Sequence, residues 1–390
     1  MSAPAMNKDR PLVVLATGGT GGHTFPAAAL AEALSARGCA LMLFTDRRGI
    51  ALPPALAELP IERLPAQGVA GRGLVDRVRA LGELARGAWQ AMRLLRRHRP
   101  AVVVGFGGYA SVPTMLAAQR VGIPTVLHEQ NAILGRANRV AAGHARAICT
   151  SFEIVAGLAA DTSGRTIRTG NPVRAAIAAL RDQPYPTPIP GGPLSLLITG
   201  GSQGARVFGQ VLPHAMEYLA PEHRVRLSLV QQCRAEQIEQ VRASYAAVGV
   251  NAQVTPFVED MAGRLAEAHL VIARAGATTV AELTAAGRPA ILVPYPHATD
   301  DHQTANAQAM SAGGGAWLMP QDSFSAPALS ARLTHLLERP ETLVEAASCA
   351  RALGVPDAAE RLAGAVLNLL PASNGNEPHA PANDRREAAQ

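Results

Sequence analysis

Two glycine-rich turns carry the first chemical signal in the chain. Gly18-Gly-Thr-Gly-Gly-His23 follows the apolar run Leu12–Ala16, and Gly200-Gly-Ser-Gln-Gly-Ala-Arg206 follows Leu194–Thr199. Glycine lets backbone approach an anion closely, and a helix beginning behind the turn presents unpaired N–H groups and the positive end of its dipole. Each turn is therefore a candidate phosphate site. A tight β–α turn can use glycine for packing alone, but four glycines in five positions, Gly18 to Gly22, exceed that need. The dinucleotide fingerprint does not fit, because counting from Gly19 its third glycine falls on Thr24, and no G-K-[ST] of a P-loop follows. Asp46, after the second strand, is where an NAD enzyme would hold ribose; that dehydrogenase reading ranks last.

His23 closes the first turn, and its near-neutral pKa suits a general base. A solitary histidine is usually not catalytic, so its candidacy rests on the glycine loop in front of it. In the second turn Ser202 offers a hydroxyl. A third strand-to-helix turn, Arg274-Ala-Gly-Ala-Thr-Thr-Val-Ala-Glu282, offers free amides, two threonine hydroxyls and a carboxylate able to accept from two ribose hydroxyls. A solvated surface glutamate is the ordinary alternative for Glu282. Two anion-ready turns in one half favour a nucleotide diphosphate. Further polar clusters fall at strand ends, where open α/β sheets bind ligands: Gly107-Gly-Tyr109 with Ser111, His128-Glu-Gln-Asn131, Gly170-Asn-Pro-Val-Arg174, and Asp300-Asp-His-Gln303 with Asn306. There is no D-x-D motif to hold a divalent ion on a diphosphate, so amides and helix dipoles are expected to stabilise the leaving group without metal or cofactor.

The elements that must position these residues alternate β and α. Leu12–Ala16, Leu41–Thr45, Val102–Gly105, Thr125–His128 and Ala147–Thr150 read as buried parallel strands, with helices such as Pro26–Ser35 and Thr114–Val121 between them. The alternation restarts at Leu194–Thr199, Arg226–Val230, Ala252–Pro256, Leu270–Ala273 and Ala290–Val293. The two series share one plan, so the fold class is α/β with two Rossmann-like domains facing across a cleft. A chain of 390 residues suits two domains. The boundaries expected are 1–180 and 181–355, with a Pro/Gly-rich hinge at Gln183–Pro193, helical patterns over Thr342–Leu353 and Pro356–Leu370, and a disordered tail over 372–390.

Hydrophobic content of 48% with only 4% aromatics implies aliphatic cores. Cys39, Cys149, Cys233 and Cys349 form no C-x-x-C pair and read as buried thiols. Neither a signal peptide nor a membrane span is expected, which points to a cytoplasmic protein able to touch a membrane. The net charge is +6, carried by arginine, and eight arginines fall between Arg72 and Arg99 against Asp76 and Glu83. There Leu74, Val78, Leu81, Leu84, Ala88, Met92 and Leu95 recur at helical spacing, with Trp89 nearby. A helix packed on the first sheet explains most of these; its basic face also suits an anionic lipid surface. Nucleic acid fits less well, for want of aromatic platforms.

Taken in order, Gly18–His23, Gly105–Pro113, His128–Asn131, Gly170–Arg174, Gly200–Arg206, Arg274–Glu282 and Pro294–Asn306 closely resemble the bacterial peptidoglycan N-acetylglucosaminyltransferases that convert lipid I to lipid II. The resemblance runs from about Pro11 to Leu370. It implies the GT-B fold, UDP-GlcNAc as donor, undecaprenyl-pyrophosphoryl-MurNAc-pentapeptide as acceptor, and a peripheral position on the cytoplasmic face of the inner membrane. It places Thr20, Gly21 and Gly22 near the donor sugar and the acceptor diphosphate, and Asn131 within reach of GlcNAc. Arg174 and Ser202 lie beside the nucleotide, and Val258, after Phe257, meets uracil through its backbone. Ala277, Thr278, Thr279, Val280 and Ala281 cradle the diphosphate, Glu282 holds ribose and Gln303 contacts sugar hydroxyls. Gly19, Tyr109 and Glu129 fall on the acceptor side. It also implies that a closing helix, about 356–371, crosses back to the first domain. Thr278-Thr279 replaces the more usual Leu-Thr pair, which bears on packing there. Rival readings are a UDP-GlcNAc 2-epimerase or another lipid glycosyltransferase on the same fold, and a non-catalytic UDP-sugar sensor.

Overall fold

The computed structural model describes residues 10–18, 21–47, 52–66, 74–201 and 204–371. Gly19, Thr20, Ser202, part of the basic segment before Leu74, and the tail 372–390 lie outside the described residues.

The strands of the first half are β1 (Leu12–Ala16), β2 (Ala40–Asp46), β3 (Ile61–Leu64), β4 (Val102–Gly105), β5 (Thr125–Glu129), β6 (Ala147–Thr150) and β7 (Thr166–Arg168). They form one sheet in the order β3-β2-β1-β4-β5-β6-β7, and every pairing is parallel. The second half repeats the plan with β8 (Leu194–Thr199), β9 (Leu227–Gln232), β10 (Asn251–Thr255), β11 (Leu270–Ala273), β12 (Ala290–Leu292) and β13 (Ala316–Leu318), ordered β10-β9-β8-β11-β12-β13 and again parallel. This is the doubly wound order, and its reversal points lie between β1 and β4 and between β8 and β11. The glycine turns follow β1 and β8 at those two points.

Successive side chains of a strand point to opposite faces. Val13 and Leu15 accordingly join one core with helix Gly21–Ala36, while Leu12, Val14 and Ala16 join another with Ala91 and Leu95 of helix Leu74–His98. Leu196 and Ile198 likewise face Phe208 and Leu212, whereas Leu197 faces Val280 and Leu283. Each sheet is thus covered on both sides by aliphatic packing. Three strands escape the sequence reading: β3, β7 and β13. All are edge strands of three or four residues with partly exposed side chains, so they lack the apolar run that marks a buried parallel strand.

The helix expected to begin at Pro26 begins at Gly21, inside the glycine loop. Pro26 therefore lies within it and offers no N–H to the Gly22 carbonyl. The last helix, Ala358–Leu367, buries Leu362, Ala363 and Val366 among Leu30, Leu34 and Val104 of the first sheet's core. The chain consequently crosses between the two halves twice, once in the segment after β7 and once between Leu353 and Ala358. All four cysteines are free thiols.

Candidate active site

At the first reversal point the end of β1 meets the loop after β4. Gly108 has a left-handed backbone, φ 69°, and a side chain there would lie 3.2 Å from His23 Cδ2 and 3.4 Å from its Nε2. Glycine at this position keeps the space beside that nitrogen open. His23 stands in the first turn of its helix with Nδ1 3.2 Å from Gln130 Oε1. Burial lowers its pKa below the usual value, against the pull of the nearby Glu129 charge and the Gln130 hydrogen bond. His302 of the second half lies close enough to lower it further. At neutral pH the ring is therefore uncharged and able to accept a proton.

The loop after β5 is held by Glu129. Its Oε1 accepts from the Asn131 amide (2.9 Å) and side chain (3.3 Å), and its Oε2 accepts from Gly135 N (2.8 Å) and Asn138 Nδ2 (2.7 Å). Glu129 is 1% exposed, so it bears on an acceptor through the loop it orders. Asn131 sits at the meeting of the halves: its Oδ1 accepts from Asn306 Nδ2 (3.1 Å), which also donates to Ala275 O (3.1 Å). The Asn306 Oδ1 accepts from Ala132 N at 2.8 Å. Asn306 is fully buried and bonds to both domains through one amide. Nearby, Arg136 grips Asp300 with Nε (3.1 Å to both oxygens) and Nη2 (2.6 Å), and Arg139 approaches the same carboxylate at 3.7 Å. Asp300 and Asp301 both have left-handed backbones, φ 53° and 52°, an uncommon state for residues other than glycine. Tyr109 is partly exposed and lies beside Arg136.

In the second half Gln232, at the end of β9, staples the glycine turn. Its Oε1 accepts from Gly200 N (3.1 Å) and Thr199 Oγ1 (3.0 Å), while its Nε2 donates to Gly201 O (3.0 Å). A side chain at Gly200 would stand 2.1 Å from Ala205 N, so only glycine permits this fold-back. The helix Ala277–Ala286 starts at the end of the β11 turn, with extended Gly276 before it. The Thr278 hydroxyl is buried there without a hydrogen-bond partner among the described residues. One turn further on, Glu282 faces Arg174, which donates to its Oε1 from Nε (3.0 Å) and Nη2 (2.8 Å). Burial raises the Glu282 pKa, and Arg174 opposes that rise. Val258 is buried beside exposed Phe257, and Gln303 Oε1 accepts from Tyr295 N at 2.9 Å.

The structure thus places His23, Tyr109 and Asn131 on the first domain's side of the boundary, and Val258, Ala277–Glu282 and Gln303 on the other, with Arg174 reaching across from the connecting segment. Sequence reasoning placed Gln130 and Asp300 in strand-end polar clusters without an individual role, and it did not single out Gln232 or Arg136. The available signal was a glutamine at or just past the end of an apolar strand, at Gln130 and Gln232, and an arginine spaced for a helix start.

Two doubly wound parallel-sheet domains, each with a glycine turn at its reversal point, define the GT-B class of fold. Residues 13–150 match the glycosyltransferase family 28 N-terminal domain and residues 195–362 its C-terminal domain. The UDP-N-acetylglucosamine–N-acetylmuramyl-(pentapeptide) pyrophosphoryl-undecaprenol N-acetylglucosamine transferase of Rhodospirillum centenum is 56% identical, over 93% of this chain and 96% of that protein. The crystal structure of Acinetobacter baumannii MurG superposes with a TM-score of 0.75 at 32% identity, over 92% of this chain and 99% of that one. A UDP-GlcNAc 2-epimerase from Neisseria meningitidis shares the fold at TM-score 0.62 but only 16% identity, over 92% of this chain and 99% of that one. The chain belongs to the MurG family of family 28 glycosyltransferases.

Proposed function

We propose that the protein transfers GlcNAc from UDP-GlcNAc to the 4-hydroxyl of MurNAc in undecaprenyl-pyrophosphoryl-MurNAc-pentapeptide, by a single inverting displacement. The observation that carries this reading is His23 at one reversal point, close to His302 of the second domain, whose turn after β11 leaves the first amides of helix Ala277–Ala286 without an intrahelical acceptor. As the acceptor oxygen attacks the anomeric carbon and UDP departs, His23 Nε2 takes the hydroxyl proton. The amides of Ala277, Thr278 and Thr279, which precede the first intrahelical bond from Val280 N to Gly276 O, stabilise the leaving diphosphate with the two threonine hydroxyls. Ser202 lies against the donor nucleotide, and Thr20, Gly21 and Gly22 stand near the donor sugar and the acceptor diphosphate. Glu282 accepts from the ribose, Arg174 supports the nucleotide, Val258 meets uracil, and Asn131 and Gln303 hold the sugar. Gly19 and Tyr109 line the acceptor side. Positioning and fixed dipoles supply most of the acceleration, since one base contributes about 10²–10⁴-fold. No cofactor or metal enters this scheme.

Membrane contact is part of the proposal. Among the described residues no helix is long and apolar enough to cross a membrane. Helix Leu74–His98 carries Trp89, 59% exposed, with Arg93 stacked 4.9 Å from its ring, and ends in Arg96-Arg97-His98. Such a face suits peripheral docking on anionic lipid at the cytoplasmic surface. An epimerase is the less favoured reading, because the likeness to that enzyme extends to the fold alone. UDP release measured with UDP-GlcNAc, with and without lipid I, in the presence of EDTA tests the reading. Release that requires lipid I and survives chelation is expected; conversion of UDP-GlcNAc without acceptor, or dependence on a divalent ion, overturns it.

A further inference from the structure

Behind His23 runs a buried set of hydrogen bonds that proton transfer does not by itself require. Gln130 is 2% exposed and His128 0%. Gln130 Nε2 lies 3.0 Å from Phe106 O, 3.2 Å from His128 O and 3.0 Å from His128 Nδ1. Two carbonyl oxygens can only accept, so they fix which end of this amide is the NH₂ group. The opposite end, Oε1, then faces His23 Nδ1, and because an amide oxygen also only accepts, Nδ1 must carry a proton. A neutral imidazole has one N–H, so the lone pair of His23 is on Nε2. The same logic runs outward. His128 Nδ1 accepts from Gln130, which puts the His128 proton on Nε2, 3.0 Å from Gly170 O. Every donor meets an acceptor in this one assignment.

We infer that Gln130 and His128 are positioning residues of the transfer reaction, fixing His23 as the Nδ1–H tautomer so that Nε2 is the nitrogen offered to the acceptor hydroxyl. The inference rests on the reading of His23 as base. The partner behind the ring is an amide and not a carboxylate, so the relay orients His23 without adding charge. Burial holds the His128 pKa down to about 4, so the relay stays neutral over the working range. The titratable groups that face His23 are Glu129 and His128 from its own domain and His302 from the second; Glu129 and a hydrogen bond to the Phe106 carbonyl raise its basicity, and His302 lowers it. The relay ends on Gly170, in the segment that joins the domains, where a side chain would strike Val355 Cβ at 2.6 Å.

The test is ¹⁵N spectroscopy of the full-length protein labelled at histidine, with the His23 signals assigned by their loss in His23→Ala, alongside steady-state kinetics. Wild type is expected to show a protonated Nδ1 and a bare Nε2 at His23. Gln130→Met should shift that signal toward the opposite tautomer and lower kcat by about 10–100-fold, with KM for UDP-GlcNAc changed less than about threefold. Gln130→Glu keeps an acceptor for His23 Nδ1, but once ionised it sets its other oxygen against the Phe106 and His128 carbonyls, so only its protonated form rebuilds the network. Its kcat should therefore fall as pH rises through that buried carboxyl's pKa, an alkaline loss absent from Gln130→Met that a purely structural defect would not produce. A wild-type His23 protonated at Nε2, or a Gln130→Met enzyme with unchanged tautomer and kcat, overturns the inference. If Gln130→Met does not fold, the wild-type spectrum alone decides. Wild-type turnover in His23→Ala together with the expected tautomer removes the base reading while leaving the tautomer assignment in place, so the two failures are distinguishable.

Discussion

Arg174 spends both of its hydrogen bonds to Glu282 on the same oxygen: Nε at 3.0 Å and Nη2 at 2.8 Å from Oε1. Oε2 accepts nothing from the described residues. The carboxylate is thereby oriented with half of its accepting capacity in reserve, which is what a ribose hydroxyl needs. Glu282→Ala should weaken UDP binding about 10–100-fold, the equivalent of a charged hydrogen bond of ~1.5–3 kcal/mol, with the larger effect on KM. Calorimetric titration with UDP checks this, and an unchanged dissociation constant removes the ribose role.

The same pair gives a pH dependence with a definite sign. Burial raises the Glu282 pKa, so nucleotide affinity is full above that raised value and is lost as pH falls through it. Removing the guanidinium in Arg174→Met takes away the opposing effect, and the loss of affinity should then begin at a higher pH. An acid limb that stays in place would show that the charge on Glu282 is not the group being read.

His23→Ala should reduce kcat by about 10²–10⁴-fold while leaving UDP affinity within a small factor. Single-turnover kinetics with lipid I, compared with UDP titration of the same sample, separates the two effects. Full activity in the variant would exclude the ring from proton transfer.

Asn306 is buried and satisfied by Ala132 N, Asn131 Oδ1 and Ala275 O. Truncation to alanine strands those groups, at a cost of about 1–3 kcal/mol for each buried group left unpaired. Because two of the partners belong to the first domain and one to the second, Asn306→Ala should also loosen the coupling between halves. Scanning calorimetry is expected to resolve a broadened or double transition, whereas a single unshifted peak would mean the contact is dispensable.

Gly200→Ala puts a methyl 2.1 Å from Ala205 N, against backbone that cannot swing away as a side chain would. The turn must move, and UDP affinity should fall by at least about tenfold, or ~1.4 kcal/mol, with far-UV circular dichroism unchanged. Retained affinity would show that the turn does not contribute to the donor site.

The two-sheet architecture is legible in the sequence because buried parallel strands are continuous aliphatic runs, and Leu12–Ala16, Val102–Gly105, Ala147–Thr150, Leu194–Thr199 and Leu270–Ala273 match their observed bounds. Strands β3 and β13 were not, since Ile61-Glu-Arg-Leu and Ala316-Trp-Leu lie at sheet edges with little to bury. The glycine turns and His23 announce themselves by composition. Glu129 does not disclose its orientation: nothing in His-Glu-Gln-Asn says that the carboxylate will turn to the amides of Asn131 and Gly135. That depends on the β5 loop folding back, which is a tertiary event. The partnership of Arg136 with Asp300, 164 positions away, is equally invisible before the domains are brought together.

The double crossing of the chain between domains has a mechanical consequence. A body joined by one strand can swivel freely, whereas one joined at two points, near Gly170 and near Val355, turns mainly about the line connecting them. With Gly170 packed directly on Val355 and Ala358, that line is short and its ends are wedged together. Any movement of one half against the other is therefore pivoted at this point, so displacement is least beside the crossing and grows with distance from it.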